Sequence, residues 1–510
     1  MMPAQRISTR VSLSYLLAGL VELEVDVLVS KPSLDARKIE EGGVFLAVSG
    51  YQSHGLNYAG QAIERGAAAI VYDPASGGDL LAAKIKKQSR VRLVELANLN
   101  SKVSDIAARF YAEPSHGFCV IGITGTNGKT SVSHFIAQVL SGDCAVIGTL
   151  GWGKLSALQQ TINTTPDAVS VQAQLATLLG SDCSSVAMEV SSHGLDQSRV
   201  KAVDFNGAVF TNLSHDHLDY HKTMAEYAQA KLALFKMPGL QFVVLNNDDA
   251  FSQTIQASLA ENIDVYTFTR QEKTPEAGRL LISNERLTSS GLAFDVTYQG
   301  ETRAIESSLF GVFNVDNLVA TLGVLIATGD AFDVAIAKVQ RVVSAEGRMQ
   351  LLPRGKNGPS VIIDYAHTPD ALKQALISLR EHCDGQLKLI FGCGGNRDQA
   401  KRALMGAIAS EYADEVLISN DNPRFERAED IVAQIKAGVK DGVCLAIELD
   451  RAKAIEQVIA AANHDDIILV AGKGHEDYQQ IGAERMPFSD AAVALKALRH
   501  RSVVLSGVDQ

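Results

Sequence analysis

Residues Ile121 to Thr130 read Ile-Gly-Ile-Thr-Gly-Thr-Asn-Gly-Lys-Thr. An apolar strand ends there in a glycine-rich turn, and Gly-Lys-Thr opens a helix, a junction that belongs to α/β folds. Gly125, Thr126, Asn127 and Gly128 offer backbone N–H groups to phosphate oxygens, and the helix N-terminus adds partial positive charge. Lys129 suits the outer phosphates of a nucleotide triphosphate, and the Thr130 hydroxyl suits Mg²⁺. The common phosphate loop has glycine where Ile123 stands, so this is a shorter variant, of a kind found in some ATP-dependent families. The alternative, an ordinary strand-turn-helix corner, does not require glycine, lysine and threonine to coincide with both elements.

The 510 residues, 46% hydrophobic and 21% charged, are enough for two to four domains with cores of their own. A net charge of −11 argues against a general nucleic-acid binder, whose phosphate contacts demand a basic face. Cys119, Cys144, Cys183, Cys383, Cys393 and Cys444 are scattered, without a CxxC pair, and are expected to be buried free thiols in a reducing compartment. The apolar stretch Val11 to Val21 follows Arg6 and Arg10 like a secretory leader, yet Glu22, Glu24 and Asp26 come next without a small-residue cleavage site. No segment reaches the ~18 apolar residues of a membrane span. The expectation is a cytoplasmic protein with no membrane insertion.

Strand-length apolar runs and turn signals divide the chain into three domains, 1–112, 113–345 and 346–510. The first is a small α/β unit with runs at Val44–Val48 and Ala68–Val71, and Glu113-Pro114-Ser115 marks its end. The second holds the phosphate loop on a mostly parallel sheet, with further runs at Val186–Met188, Gly207–Phe210 and Phe242–Leu245. Its last helix is read as Val315 to Ala327, stopped by Gly329, with Asn314 as a ready N-cap. The third repeats strand, polar loop and helix in a Rossmann-like pattern, with strands at Val361–Ile363, Leu387–Phe391, Val416–Ile418 and Ile467–Val470. Ligands bind beyond the carboxyl ends of such strands, so these four loops are expected to meet.

Glu189-Val190-Ser191-Ser192-His193 and Ser214-His215-Asp216-His217-Leu218-Asp219 follow two of the central strands, which sets carboxylates and imidazoles beside the phosphate loop. Mg²⁺ prefers hard oxygen donors, so Glu189 is the better ligand candidate and His217 an unusual one. Spacing alone makes Lys231 one more solvated helical lysine. Arg348 lies at the second domain joint, as a surface arginine or as a group that meets ATP phosphates on closure. Arg424, in Asp421-Asn422-Pro423-Arg424, offers a planar fork for a carboxylate.

Gly-Thr-Asn-Gly-Lys-Thr, Glu-Val-Ser-Ser-His, Asp-His-Leu-Asp and Lys231, in this order, resemble the Mur ligases of peptidoglycan synthesis over nearly the whole chain. The resemblance implies an ATP-dependent ligase that forms an amide through an acyl phosphate, with Lys129, Glu189, His217, Lys231 and Arg348 in the catalytic apparatus. It implies that CO₂ carbamylates Lys231, turning an ammonium into an anionic oxygen ligand that joins Thr130, Glu189 and His217 around Mg²⁺. Asn317 is implied to contact adenine, and Asp364 and His367 to face ATP. Thr164, Thr165, Ser191, Gln197 and Arg199 match positions that hold a UDP-muramoyl peptide, and Leu34 and Ala36 match uridine positions. Ala36 stands where serine is common in the family, and His54 where aspartate is frequent.

The Asp-Asn-Pro-Arg loop resembles that of the members adding meso-diaminopimelate to UDP-N-acetylmuramoyl-L-alanyl-D-glutamate. Arg397 and Arg424 are then implied on the distal carboxylate, and Asp421, Asn422, Gly472 and Glu476 around the ammonium. A lysine-adding homologue and a folylpolyglutamate-synthetase-like ligase are the rivals. Bound lysine would leave Arg424 desolvated and unpaired, a penalty of about 1–3 kcal/mol or more. The chain is expected to act as a monomer.

Overall fold

The computed structural model describes residues 10–50, 53–271, 278–353 and 358–507. The chain is mixed α/β and divides into two compact units, one through Thr267 and one from Phe268. Among the described residues, no helix is long and apolar enough to cross a membrane.

In the first unit, Pro32–Ser33, Val44–Ala47, Ala69–Tyr72 and Arg92–Glu95 form a parallel sheet in chain order. Alternate side chains leave its two faces: Val44, Leu46, Ala69 and Val71 enter one core, and Phe45, Ala47, Ile70 and Tyr72 the other. A sheet covered on both faces explains the unbroken apolar runs.

Farther along the same unit, Phe242–Asn246, Gly207–Phe210, Cys119–Thr124, Ser185–Glu189 and Cys144–Gly148 lie side by side in parallel. Gly151–Lys154 adds an antiparallel edge. Cys119–Thr124 is flanked by strands that come later in the chain on both sides, so its carboxyl end is the switch point where such sheets bind ligands. The helix Met224–Phe235 is capped by Thr223, whose hydroxyl accepts from the Glu226 N–H at 3.2 Å. Its Leu232, Leu234 and Phe235 enter the core under this sheet. That orientation carries Lys231 inward, against the solvated position that spacing alone suggests: the side chain is 1% exposed.

The second unit begins with an antiparallel meander, Arg279–Thr288, Gly291–Tyr298 and Glu301–Ser307. These strands are half-buried and mix Arg, Asn, Glu and Asp with apolar residues, so a search for continuous apolar runs passes over them. The helix Phe313–Ala327 follows and starts earlier than expected. Val312 holds its N-cap position, so Asn314 is not the cap. Gly311, at φ +90°, turns the chain early enough for Asn314 to enter the first helical turn, where its amide donates to the Phe310 carbonyl at 2.8 Å.

A six-stranded sheet completes the unit, ordered Gln350–Leu351, Ser360–Asp364, Ile467–Ala471, Leu387–Phe391, Glu415–Ile418 and Cys444–Ile447. All are parallel except the first. All six cysteines are free, as expected, but only Cys144, Cys183 and Cys393 are buried; Cys119 and Cys383 are half-buried, and Cys444, which opens the last strand at a sheet edge, is exposed.

His382 is buried and accepts the Gly311 N–H on Nε2 at 2.9 Å, so its proton sits on Nδ1 and is donated to the Thr288 carbonyl at 2.7 Å. Protonation would place an N–H against the Gly311 N–H, and burial pushes this imidazole below its ordinary 6.5. The folded state therefore binds fewer protons than the unfolded one, and this stabilisation, complete above pH 6.5, is lost as pH falls through the depressed native value. Urea titrations between pH 7.5 and pH 5 should show that loss, and His382→Asn should reduce the dependence on pH.

Candidate active site

The phosphate loop is stitched to the loop that follows Gly207–Phe210. The Thr126 N–H donates to the Asn212 carbonyl at 2.8 Å, and the Asn127 N–H to Asn212 Oδ1 at 3.0 Å. Thr211 Oγ1 donates to the Asn127 carbonyl at 2.6 Å. Gly125 has φ +151°, and a Cβ there would collide with Thr211 Oγ1, so glycine is required on two counts. Gly128, at φ +85°, caps the helix Lys129–Val139. Lys129 Nζ folds back onto the Gly125 and Thr126 carbonyls at 2.8 and 2.9 Å.

Glu189 ends a neighbouring strand and is 1% exposed. Its carboxylate accepts from Thr130 Oγ1 at 2.9 Å, from the Thr149 N–H at 2.8 Å and from Thr149 Oγ1 at 3.0 Å. Thr149 Oγ1 also lies 3.0 Å from Thr164 Oγ1. Gly148 has no side chain because a Cβ would occupy the place of the Glu189 carboxylate. Among the described residues, no three His, Cys, Asp or Glu side chains form a metal-holding group. The hard-oxygen set of Thr130 and Glu189 fits Mg²⁺, which completes its coordination with water and phosphate oxygens.

Lys231 Nζ donates to the Gly125 carbonyl at 2.8 Å and lies 4.3 Å from the centre of the Tyr227 ring. Burial first, and then the neighbouring Lys129 charge, hold its pKa well below 10.5. The uncharged amine is the form that reacts with CO₂. His217 is exposed at φ +54°, with its ring centre 5.0 Å from that of His193. Burial and the nearby His217 and His221 rings lower the His193 pKa.

A continuous hydrogen-bonded chain joins most of the residues expected to hold a muramoyl peptide. Arg199 Nη1 donates to the Thr165 carbonyl at 2.7 Å, and Arg199 Nη2 to Gln197 Oε1 at 2.6 Å. Thr165 Oγ1 donates to the Glu189 carbonyl at 2.9 Å and accepts the Ser191 N–H at 2.9 Å. Gln197 Nε2 donates to Tyr220 Oη at 3.0 Å, and that hydroxyl donates to Asp196 at 2.6 Å. Leu34 and Ala36 flank Asp35, the cap of a short helical turn, with Ala36 buried. His54 is buried, its Nδ1 accepting the Leu56 N–H at 3.0 Å and its Nε2–H reaching the Asp73 carbonyl at 2.8 Å. Residues 51 and 52 of that loop lie outside the described residues.

In the second unit, the four expected strand ends do come together. Asp364 takes the Met349 and Ala366 N–H groups at 2.8 Å each, and burial raises its pKa against those bonds. The Gly472 N–H donates to the Asp364 carbonyl at 3.1 Å. Arg348 stacks 5.1 Å from the Tyr365 ring centre, and His367 is exposed with Nδ1 2.9 Å from the Tyr365 carbonyl. Asn317 is buried, its amide donating to Asn314 Oδ1 at 2.8 Å. Asn422 Nδ2 donates to Glu476 Oε2 at 2.7 Å, which also takes Lys473 Nζ at 3.1 Å. Asp421 is buried, and burial raises its pKa against the nearby Arg451 and Lys473 charges. Arg424, at φ +51°, donates from Nη1 to the Gly395 carbonyl at 2.9 Å, and Arg397 is exposed.

Thr149, Tyr220, Asp196 and Lys473 escaped the sequence reading. Thr149 and Tyr220 are neutral residues placed by tertiary contacts. Lys473 carried a usable signal, since a lysine between two glycines at a strand end is poorly suited to a regular solvated face.

A switch-point sheet with a glycine-lysine-threonine turn defines the class, a phosphate-loop α/β protein. Residues 123–325 match the Mur ligase middle domain, residues 347–474 the Mur ligase glutamate ligase domain, and residues 32–111 the Mur ligase family catalytic domain. A Pseudomonas aeruginosa protein named UDP-N-acetylmuramoyl-L-alanyl-D-glutamate–2,6-diaminopimelate ligase is 44% identical, over 94% of this chain and 96% of its own. A Coxiella burnetii protein of the same name is 42% identical, over 93% and 97%. A solved structure with that name aligns at a TM-score of 0.71 and 33% identity, covering 97% of this chain and 99% of its own. The chain belongs to the Mur ligase family, whose members are ATP-dependent ligases that form amide bonds.

Tyr220→Phe removes the hydroxyl between Gln197 and Asp196. It should cost about 0.5–1.5 kcal/mol of stability, the net worth of a hydrogen bond, as a lower urea midpoint at unchanged slope.

Proposed function

We propose that the protein joins meso-diaminopimelate to UDP-N-acetylmuramoyl-L-alanyl-D-glutamate, an ATP-dependent step of peptidoglycan precursor synthesis that proceeds through an acyl phosphate. The observation that carries the choice of amino acid is the Asp421-Asn422-Pro423-Arg424 loop, with Arg424 half-buried beside the Asn422–Glu476–Lys473 cluster. Relatives bearing that activity in their names match nearly the whole chain, which supports the same reading. Lysine lacks a distal carboxylate, so the Arg424 guanidinium would find no anionic partner in it.

A carboxylate resists attack by an amine because it is negatively charged and oxide is a poor leaving group. In the first step, a carboxylate oxygen of the muramoyl dipeptide attacks the γ-phosphorus of ATP and ADP departs. In the second, the amine attacks the acyl carbon, and orthophosphate leaves with that carboxylate oxygen. Lys129 and Arg348 offset charge that moves through the γ-phosphate, and the N–H groups from Gly125 to Thr130 cradle the phosphates. Asn317 takes the adenine, and Asp364 and His367 serve the nucleotide with Arg348. Thr130, Glu189, His217 and Lys231 as its carbamate would hold Mg²⁺, which supplies a counter-charge for the phosphates. The low pKa of Lys231 keeps its amine ready for carbamylation.

Thr164, Thr165, Ser191, Gln197 and Arg199 bind the muramoyl peptide, and Leu34 and Ala36 the uridine end. Arg397 and Arg424 bind the distal carboxylate of diaminopimelate, and Asp421, Asn422, Gly472 and Glu476 its ammonium side. Residues 1–112, 113–345 and 346–510 are the uridine, ATP and amino-acid domains. The protein acts in the cytoplasm, where ATP is available, and as a monomer.

Two measurements test this. With ¹⁸O in the accepting carboxylate, one label per turnover should appear in orthophosphate, and product without label transfer would exclude the acyl phosphate. Lys231→Ala should stay folded and lose at least about a hundredfold in kcat, the size expected for loss of an electrostatic group at a transferring phosphoryl. Near-native turnover by that variant would refute the carbamate.

A further inference from the structure

Arg402 is buried to 0% exposure, yet the amino-acid-binding roles above leave it without a task. It lies in the first turn of the helix Ala400–Tyr412 and faces Glu426, which follows the Asp-Asn-Pro-Arg loop. The pair is bidentate: Nη1 donates to Glu426 Oε2 at 2.8 Å and Nη2 to Glu426 Oε1 at 3.0 Å. Nη1 also reaches Gln434 Oε1 at 2.8 Å, and Nη2 the Gly394 carbonyl at 3.2 Å. Glu426 Oε1 in turn accepts the Asn396 N–H. One ion pair therefore grips both the loop that carries Arg397 and the loop that carries Arg424.

The two loops are laced further through their backbones. The Gly395 N–H donates to the Asn422 carbonyl at 2.9 Å, the Phe425 N–H to Asn396 Oδ1 at 3.0 Å, and Arg424 Nη1 to the Gly395 carbonyl at 2.9 Å. A Cβ on Gly395 would collide with the Pro423 carbonyl, so the loops touch with no room for side chains. Asn396 at φ +52° and Arg424 at φ +51° both sit in the left-handed region, which L-residues keep only where their surroundings over-determine them. A buried ion pair is weak support for bulk stability, because desolvation opposes its attraction, but its fixed fork suits the holding of one geometry.

We infer that Arg402 and Glu426 are positioning residues for amino-acid selection, their ion pair setting the separation and aim of the two loops that present Arg397 and Arg424 to a distal carboxylate. This rests on the proposed ligase reading. Neither residue is among those proposed to bind the substrate. Loosening the pair should blunt selection of the dicarboxylic amino acid before it affects the use of ATP or nucleotide-sugar peptide.

The test compares the full-length protein with Arg402→Lys, which keeps charge and loses the fork, and Glu426→Gln, which keeps size and loses charge. For each, folding is checked by circular dichroism and thermal melting. KM is then measured for meso-diaminopimelate, ATP and the UDP-muramoyl dipeptide, with the ratio of kcat/KM for meso-diaminopimelate over lysine. The expected result is a rise of at least about tenfold in KM for meso-diaminopimelate, the scale on which misplaced binding groups act, and a fall in that ratio. The other two KM values should stay within about twofold, as for substrates that share no partner with the mutated pair. If Arg402→Lys does not fold, Glu426→Gln decides. Unchanged KM and selectivity in a folded variant, or an equal rise in all three KM values, would overturn the inference while leaving the ligase reading intact. No wild-type product with meso-diaminopimelate would overturn the reading and the inference with it.

Discussion

Two lysine side chains converge on one oxygen, the Gly125 carbonyl, which takes Lys129 Nζ and Lys231 Nζ at 2.8 Å each. Two ammonium groups sharing an acceptor in a poorly hydrated place repel each other, and the more deeply buried gives up its proton more readily. Lys231 is that one. The two residues of the same type therefore differ in setting: Lys129 folds back onto the Gly125 and Thr126 carbonyls, whereas Lys231 is buried beside the Tyr227 ring, and burial first holds its pKa well below 10.5.

That arrangement depends on backbone geometry that only a parallel sheet with a switch point supplies. The strand Cys119–Thr124 delivers the glycine turn between two neighbours, so Glu189 arrives from one side and Thr211 and Asn212 from the other. Thr126, Asn127 and Thr130 then find partners across the sheet, while Lys129 folds back along the chain onto the Gly125 and Thr126 carbonyls. The second unit repeats the logic with different chemistry, since its strand ends bring together Asp364, Asp421, Asn422 and Glu476. There the buried cations Lys473, Arg451 and Arg402 satisfy carboxylates and amides that would otherwise be desolvated at a cost.

Much of this was legible from residue order. Continuous apolar runs marked most of the parallel strands to within a residue or two, because a strand covered on both faces has no polar side to interrupt it, but Pro32–Ser33, Arg92–Glu95, Cys144–Gly148 and Cys444–Ile447 were passed over. The meander from Arg279 to Ser307 was not legible, because one wet face breaks the run into an alternation that charged residues blur. Asn314 shows a second kind of failure. Its type suits an N-cap, but the turn at Gly311 starts the helix early and turns the side chain inward. Cys444 shows a third, since a cysteine expected to be buried opens a strand at the sheet edge.

Local sequence determined the glycine turn, the strand periodicities and the identity of the polar groups at each strand end, because these depend on φ freedom, side-chain pattern and chemistry within a few residues. Tertiary structure alone decided which lysine is buried, which carboxylate receives three donors, and which arginine presents its fork while another is locked against Glu426. Such distinctions rest on desolvation and on partners more than twenty residues apart, as with Glu189 and Thr130 or Arg402 and Glu426, and no local pattern encodes them.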